Sequence, residues 1–293
     1  MREADKIEHL LRRTGFCCTP AQRKQAHREG YEATVESILQ RSLAYRLQEG
    51  PPPVVAPALV LPVTFLTFAE GILWWMRTLA RTVSPLNERL TLFWHRHFAT
   101  SGAKVFRPGW MFQQNQTFRE YGMGSFSELL GQMVKDPALL KWLDADDNPA
   151  DHPNENLARE LMELFTLGIG HFTEHDVKEL AKLTTGKRLT FGGRTPAQPK
   201  GAYTGPVSLL GFKGQTDLTE TASRLAVHEA TAKRLVDLLW SDFVAGSLAA
   251  GERAQLAALW SKTRGNVAVV LRRIFHSPSF FCAPRQRVLS PIR

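Results

Sequence analysis

The stretch Asn154-Glu-Asn-Leu-Ala-Arg-Glu-Leu-Met-Glu-Leu-Phe-Thr-Leu-Gly168 decides the reading of this chain. It is made of strong helix formers, holds no proline and ends on glycine. Projected at about 100° per residue with Asn156 at zero, Glu163 falls at about −20°, Glu160 at about +40° and Arg159 at about −60°. Four polar groups therefore share one face. Leu157, Leu161, Leu164 and Phe165 fill the other, and Met162 and Leu167 flank the stripe. So little of this helix is left for solvent that Glu160 and Glu163 are expected to be partly buried. One turn apart they repel, and buried charges need partners. Arg159 is one candidate cation and a metal ion is the other. An Arg-Glu lattice bracing the helix and a functional carboxylate pair are the two readings of these residues.

Gly168-Ile-Gly170-His171-Phe-Thr-Glu-His175 follows, and its glycines let the chain turn sharply into the next helix. A third histidine comes from Leu86 to Phe98, where Leu86, Leu90, Phe93 and His97 lie within a stripe about 60° wide. His97 faces inward and His95 points away, so the H-x-H spelling is not a ligand pair on a helix. His97 is either a hydrogen-bonded core histidine or a ligand or acid/base group. If His97, Glu160, Glu163 and His171 converge, their carboxylate and imidazole donors suit zinc, manganese or iron. The spacing does not demand this, because Glu-x-x-Glu lacks the His of the di-iron motif and no H-E-x-x-H is present.

Outward from this core, helix starts recur. Thr19-Pro20, Ser84-Pro85 and Asp136-Pro137 each set a cap residue before Pro at the first helical position, and Thr173-Glu-His-Asp176 resembles a capping box running to Gly186. Helical periodicity also marks His228–Val244, Glu252–Lys262 and Asn266–His276. From Gly186 to about Thr216 the pattern breaks into Gly, Pro and Thr, with short apolar pieces at Leu189-Thr-Phe191 and Val207-Ser-Leu-Leu210. The expected fold class is mostly α: one helical domain over 1–293, with an irregular or small β-hairpin excursion around 187–215.

The 293 residues are 43% hydrophobic and 22% charged, which excludes disordered and collagen-like classes. Cys17, Cys18 and Cys282 form neither a zinc spacing nor an even disulfide framework and read as reduced packing residues. The N-terminus carries no secretory apolar stretch, so the expected location is cytoplasmic. Val54–Met76 is the one membrane candidate. Pro57, Pro62, Glu70 and Gly71 interrupt it, so it is read as a proline-rich loop before a buried helix, with Trp74-Trp75 as a core pair. No transmembrane segment is expected.

Leu92-Phe-Trp-His-Arg-His-Phe-Ala-Thr-Ser101, Pro153 to Gly170, Phe172-Thr-Glu-His-Asp-Val177 and Leu183-Thr-Thr-Gly186 resemble a bacterial family, domain of unknown function 1800. Weaker similarity at His9–Phe16, His228–Leu235 and Ser277–Phe280 extends it over nearly the whole chain. The resemblance implies a helical bacterial protein and brings no established activity. Where members of that family usually have Trp after the Thr-Gly, this chain has Lys187. Where they carry a His-Asp pair before Lys-Thr-x-Leu-Gly, it has Ala202-Tyr203 before Val207-Ser-Leu-Leu-Gly211.

Two functional readings follow. The first is an enzyme, metal-dependent and hydrolytic, with Glu160, Glu163 and His97 as ligands or acid/base groups and Arg159 steadying a carboxylate or anionic substrate. The second is a non-enzymatic interaction or scaffold protein in which these residues brace the helices, so that removing Glu160 leaves Arg159 unpaired. Nucleic-acid binding is disfavoured, because no reader motif accompanies the net charge of +9. That charge is local. Residues 1–186 hold 21 basic and 22 acidic side chains, whereas 187–293 hold 16 and 6. Lys187, Arg188, Arg194, Lys200 and Lys213 lie in the excursion, and Arg285, Arg287 and Arg293 near the end. The basic C-terminal third is therefore the expected surface for an anionic partner.

Overall fold

In the computed structural model, proline-led starts and side-chain caps set the helices where the sequence places them. The structure describes residues 1–16, 18–45, 65–146, 148–187, 189, 201–244 and 246–281. Cys17, Pro57, Pro62, Arg188, Phe191, Arg194, Lys200, Cys282, Arg285, Arg287 and Arg293, all given roles above, lie outside them.

The first helices are α1 (Glu3–Thr14), α2 (Pro20–Glu29), α3 (Tyr31–Ala44), α4 (Phe65–Arg81) and α5 (Pro85–Phe98). Then come α6 (Gly102–Val105), α7 (Pro108–Tyr121), α8 (Phe126–Met133), α9 (Pro137–Trp142) and α10 (Asn156–Glu160). A π-helical turn (Leu161–Phe165) continues α10 and is followed by α11 (Glu174–Leu183). After the hairpin of β1 (Val207–Leu209) and β2 (Phe212–Gly214) come α12 (Leu218–Val227), α13 (Glu229–Phe243), α14 (Ala250–Lys262) and α15 (Val267–Phe275). The protein is mostly α with a small hairpin.

The caps explain the boundaries. Thr19 Oγ1 accepts the Gln22 N–H at 3.2 Å, and Asp136 Oδ1 accepts that of Leu139 at 2.8 Å. The box at α11 closes from both sides, Thr173 Oγ1 accepting from Asp176 N at 3.2 Å and Asp176 Oδ2 from Thr173 N at 2.8 Å. Ser84 departs from this pattern: its hydroxyl meets Ser42 Oγ at 3.1 Å and does not cap α5.

α5 lies at the centre and packs against α1, α3, α4, α7 and the π-turn. Leu86, Leu90, Trp94 and Phe98 are buried there, and fully burying an aliphatic or Phe side chain contributes about 1.5–3 kcal/mol. Even its polar residues are enclosed. Glu88, 0% exposed, takes a two-pronged bond from Arg119 of α7 at 2.6 and 2.9 Å and accepts the Trp75 indole N–H at 3.2 Å. The Arg119 guanidinium lies 5.3 Å from the Trp74 ring. This corrects the expectation of a buried α4. Among its described side chains Trp74, Trp75, Thr78 and Leu79 turn inward, whereas Ile72, Leu73 and Met76 are 57%, 52% and 50% exposed.

The early helix α3 also meets the late helix α15. Tyr31 donates its hydroxyl to the Phe275 carbonyl at 2.6 Å, and Arg272 grips Glu36 at 2.6 and 2.8 Å. The hairpin is clipped to α11 by two carboxylates: Glu179 accepts from Ser208 N at 2.8 Å and Asp176 from Leu210 N at 2.7 Å. Its two-residue turn needs positive φ at both positions, met by Leu210 at 50° and Gly211 at 78°.

Candidate functional site

The carboxylate helix departs from the ideal projection at its midpoint. Residues 161–165 wind as a π-helix, whose i→i+5 pattern widens the turn. Thr166 donates its hydroxyl to the Leu161 carbonyl at 2.6 Å, and Gly168 N reaches the Met162 carbonyl at 3.0 Å. Positive φ at Gly168 (85°) and Gly170 (87°) then turns the chain into α11. Because the turn is wide, Leu164 does not join the apolar side as the projection required. It is 42% exposed, while Met162, placed at the flank, is fully buried.

Arg159 does not lie between Glu160 and Glu163. Its guanidinium donates to both carboxylate oxygens of Glu174 at 2.7 and 2.8 Å and to Glu155 at 3.0 Å, tying α10 to the start of α11. The hydrogen bonds to Arg159 hold the Glu174 carboxyl below its usual range. The expectation that Glu160 braces Arg159 is thereby corrected: Glu155 and Glu174 do so. Glu160 is partly buried, and among the described residues its Oε2 has no hydrogen-bond partner. Desolvation, and then the charge of Glu163, raise its pKa. Glu163 is partly buried beside it.

His97 does point inward. Its Nε2 lies 3.0 Å from the Phe165 carbonyl, so that nitrogen is the one carrying hydrogen. The rings of Phe98, Trp94 and Phe165 stand 5.0, 5.6 and 6.0 Å from the imidazole. Burial in this cage lowers its pKa to about 4, so His97 is neutral at pH 7. Arg234 of α13 donates to the neighbouring Leu164 carbonyl at 3.1 Å. The two side chains thus occupy the last two carbonyls of the helix, which its C-terminal end leaves without helical partners.

His171 and His175 are exposed at the corner, and His171 lies near enough to His228 to help lower the latter's pKa, behind desolvation. Among the described residues no group of three or more His, Cys, Asp or Glu gathers so as to hold a metal ion. The set of His97, Glu160, Glu163 and His171 drawn from the sequence is therefore not assembled: His97 is turned to a backbone carbonyl inside an aromatic cage, and His171 lies exposed at the corner.

Sequence reasoning missed Glu174, Glu155, Arg234 and the π-turn. Glu155 was within reach, being one helical turn before Arg159. Arg234 and Glu174 approach only through tertiary packing.

Residues 9–293 match the family model described as "Protein of unknown function (DUF1800)". The chain belongs to that family. No curated protein and no solved structure matches it. In this member of domain of unknown function 1800, the segments 185–187 and 202–203, singled out in the sequence, lie together. Tyr203 N donates to Thr185 Oγ1 at 2.8 Å, and a Cβ on Gly186 would lie 2.7 Å from Ala202 N, with Lys187 next in the chain.

Proposed function

We propose that this protein is a non-catalytic helical interaction protein, in which the Arg/Glu/His cluster holds helix ends in place. The observation that carries this reading is the two-pronged bond from Arg159 to Glu174. Two of the groups assigned to chemistry have structural partners: Arg159 joins α10 to α11, and His97 holds the last carbonyl of the π-turn. Glu160 keeps a raised carboxyl whose Oε2 has no hydrogen-bond partner among the described residues, and that observation favours the hydrolytic enzyme reading.

The anionic partner of the basic C-terminal third belongs to the same proposal. Several cations there have acidic partners: Arg224 with Glu220, Lys233 with Glu229, Arg253 with Asp237 and Arg272 with Glu36. Lys213, Lys262 and Arg264 are exposed, with no acid at ion-pair distance among the described residues, and these support the partner surface.

Elemental analysis and thermal melting of protein purified without added metal or chelator test the reading. It predicts no stoichiometric metal and an unchanged melting temperature with zinc, manganese or iron. A metal-dependent rise abolished by Glu160→Gln with Glu163→Gln contradicts it.

A further inference from the structure

Away from the carboxylate helix, α2 presents a face made almost wholly of cations. Arg23, Lys24, His27 and Arg28 fall within about 140° of the helix circumference, while Ala26 is buried on the opposite side. Together with Cys18 and Pro20 these four residues line an open cleft of about 540 Å³.

Charges there are left over. Glu8 of α1 is the one acid touching the lining among the described residues, through Oε1 at 2.9 Å from His27 Nε2 and 3.3 Å from Arg23 Nε. Lys24 and Arg28, one turn apart and both exposed, have no acid within ion-pair distance among the described residues. Like charges at that spacing disfavour the helix unless an anion sits between them. Leaving His27 out of the count, the three strong cations less Glu8 leave an excess of two charges. A carboxylate supplies one. A phosphate monoester carries about −1.5 to −2, with three acceptor oxygens that two neighbouring cations can share.

We propose that the α2 cleft binds a phosphate monoester, with Lys24 and Arg28 as its direct ligands and Arg23, held by Glu8, at the rim. The inference goes beyond the interaction reading, whose own test is metal content and melting, so either can fail alone.

Titration of the full chain with O-phosphoserine, with acetate, and with phosphatidylcholine vesicles containing phosphatidic acid tests it, alongside Lys24→Gln combined with Arg28→Gln. Both substituted side chains are exposed, and the variant is expected to melt no lower than the parent. Saturable binding of O-phosphoserine, weakened at least tenfold in the variant and unmatched by acetate, is the expected result and marks a soluble or protein-borne ester. Binding of the vesicles alone, lost in the variant, supports the site with a lipid headgroup as its source. Binding of neither probe, equal binding of acetate, or binding that survives in the variant overturns the proposal.

Discussion

In the proposed structural role, His97 donates from Nε2 to the Phe165 carbonyl inside its aromatic cage. Its pKa falls from 6.5 unfolded to about 4 folded, so the folded state resists the proton that the unfolded chain accepts. Stability from this residue is fully present above pH 6.5 and is lost as pH falls towards 4. By the linkage relation the loss amounts to about 3 kcal/mol. His9, buried with Nε2 2.9 Å from the Phe280 carbonyl, is also lowered to about 4 and adds loss of the same sign. Urea unfolding from pH 7.5 to 4.5 is therefore expected to show falling stability, and His97→Gln a shallower slope despite lower stability at pH 7.5. Glu160 acts in the opposite sense, since a raised folded pKa costs stability above its unfolded value and relieves it in acid. Glu160→Gln is expected to raise the melting temperature at pH 7.5, with the gain vanishing near pH 4. The inward face of His97 was legible from its spacing with Leu86, Leu90 and Phe93. Its partner was not, because the Phe165 carbonyl, at the end of its helix, lies 68 residues away and is brought to His97 only by tertiary packing.

At the scale of elements, capping residues and proline made most helix starts readable, since those signals act within four residues of themselves. The hairpin was legible only as a break in periodicity. What places it is tertiary, namely two α11 carboxylates one turn apart that receive the Ser208 and Leu210 N–H groups. Asp176→Ala removes the acceptor for both Leu210 N and Thr173 N and is expected to cost about 1–3 kcal/mol, measurable as a shift in urea midpoint. The Glu88–Arg119 pair between α5 and α7 sets a larger scale. Arg119→Ala leaves a fully buried carboxylate without its cation and is expected to cost about 3–5 kcal/mol in the same measurement. The ideal projection failed at residues 161–165 for a comparable reason: it assumes a constant turn, and the π-helix changes that turn within the stripe.

For the whole molecule, the fold class followed from sequence because helical signals are local and repeated, whereas the site depended on which helix ends meet. Arg159 was visible as a cation beside carboxylates, yet its main partner lies 15 residues further along the chain. The proposal of one domain over 1–293 predicts a single cooperative transition by both circular dichroism and tryptophan fluorescence, consistent with a hydrophobic core that runs from Ile7 to Phe280. In the proposed reading, the polar cluster is a clasp between α10 and α11. A double-mutant cycle of Arg159→Ala and Glu174→Ala, followed by thermal unfolding at low and high salt, tests it most directly. Clear non-additivity that weakens in salt is the predicted result, and additive effects of the two substitutions would contradict it.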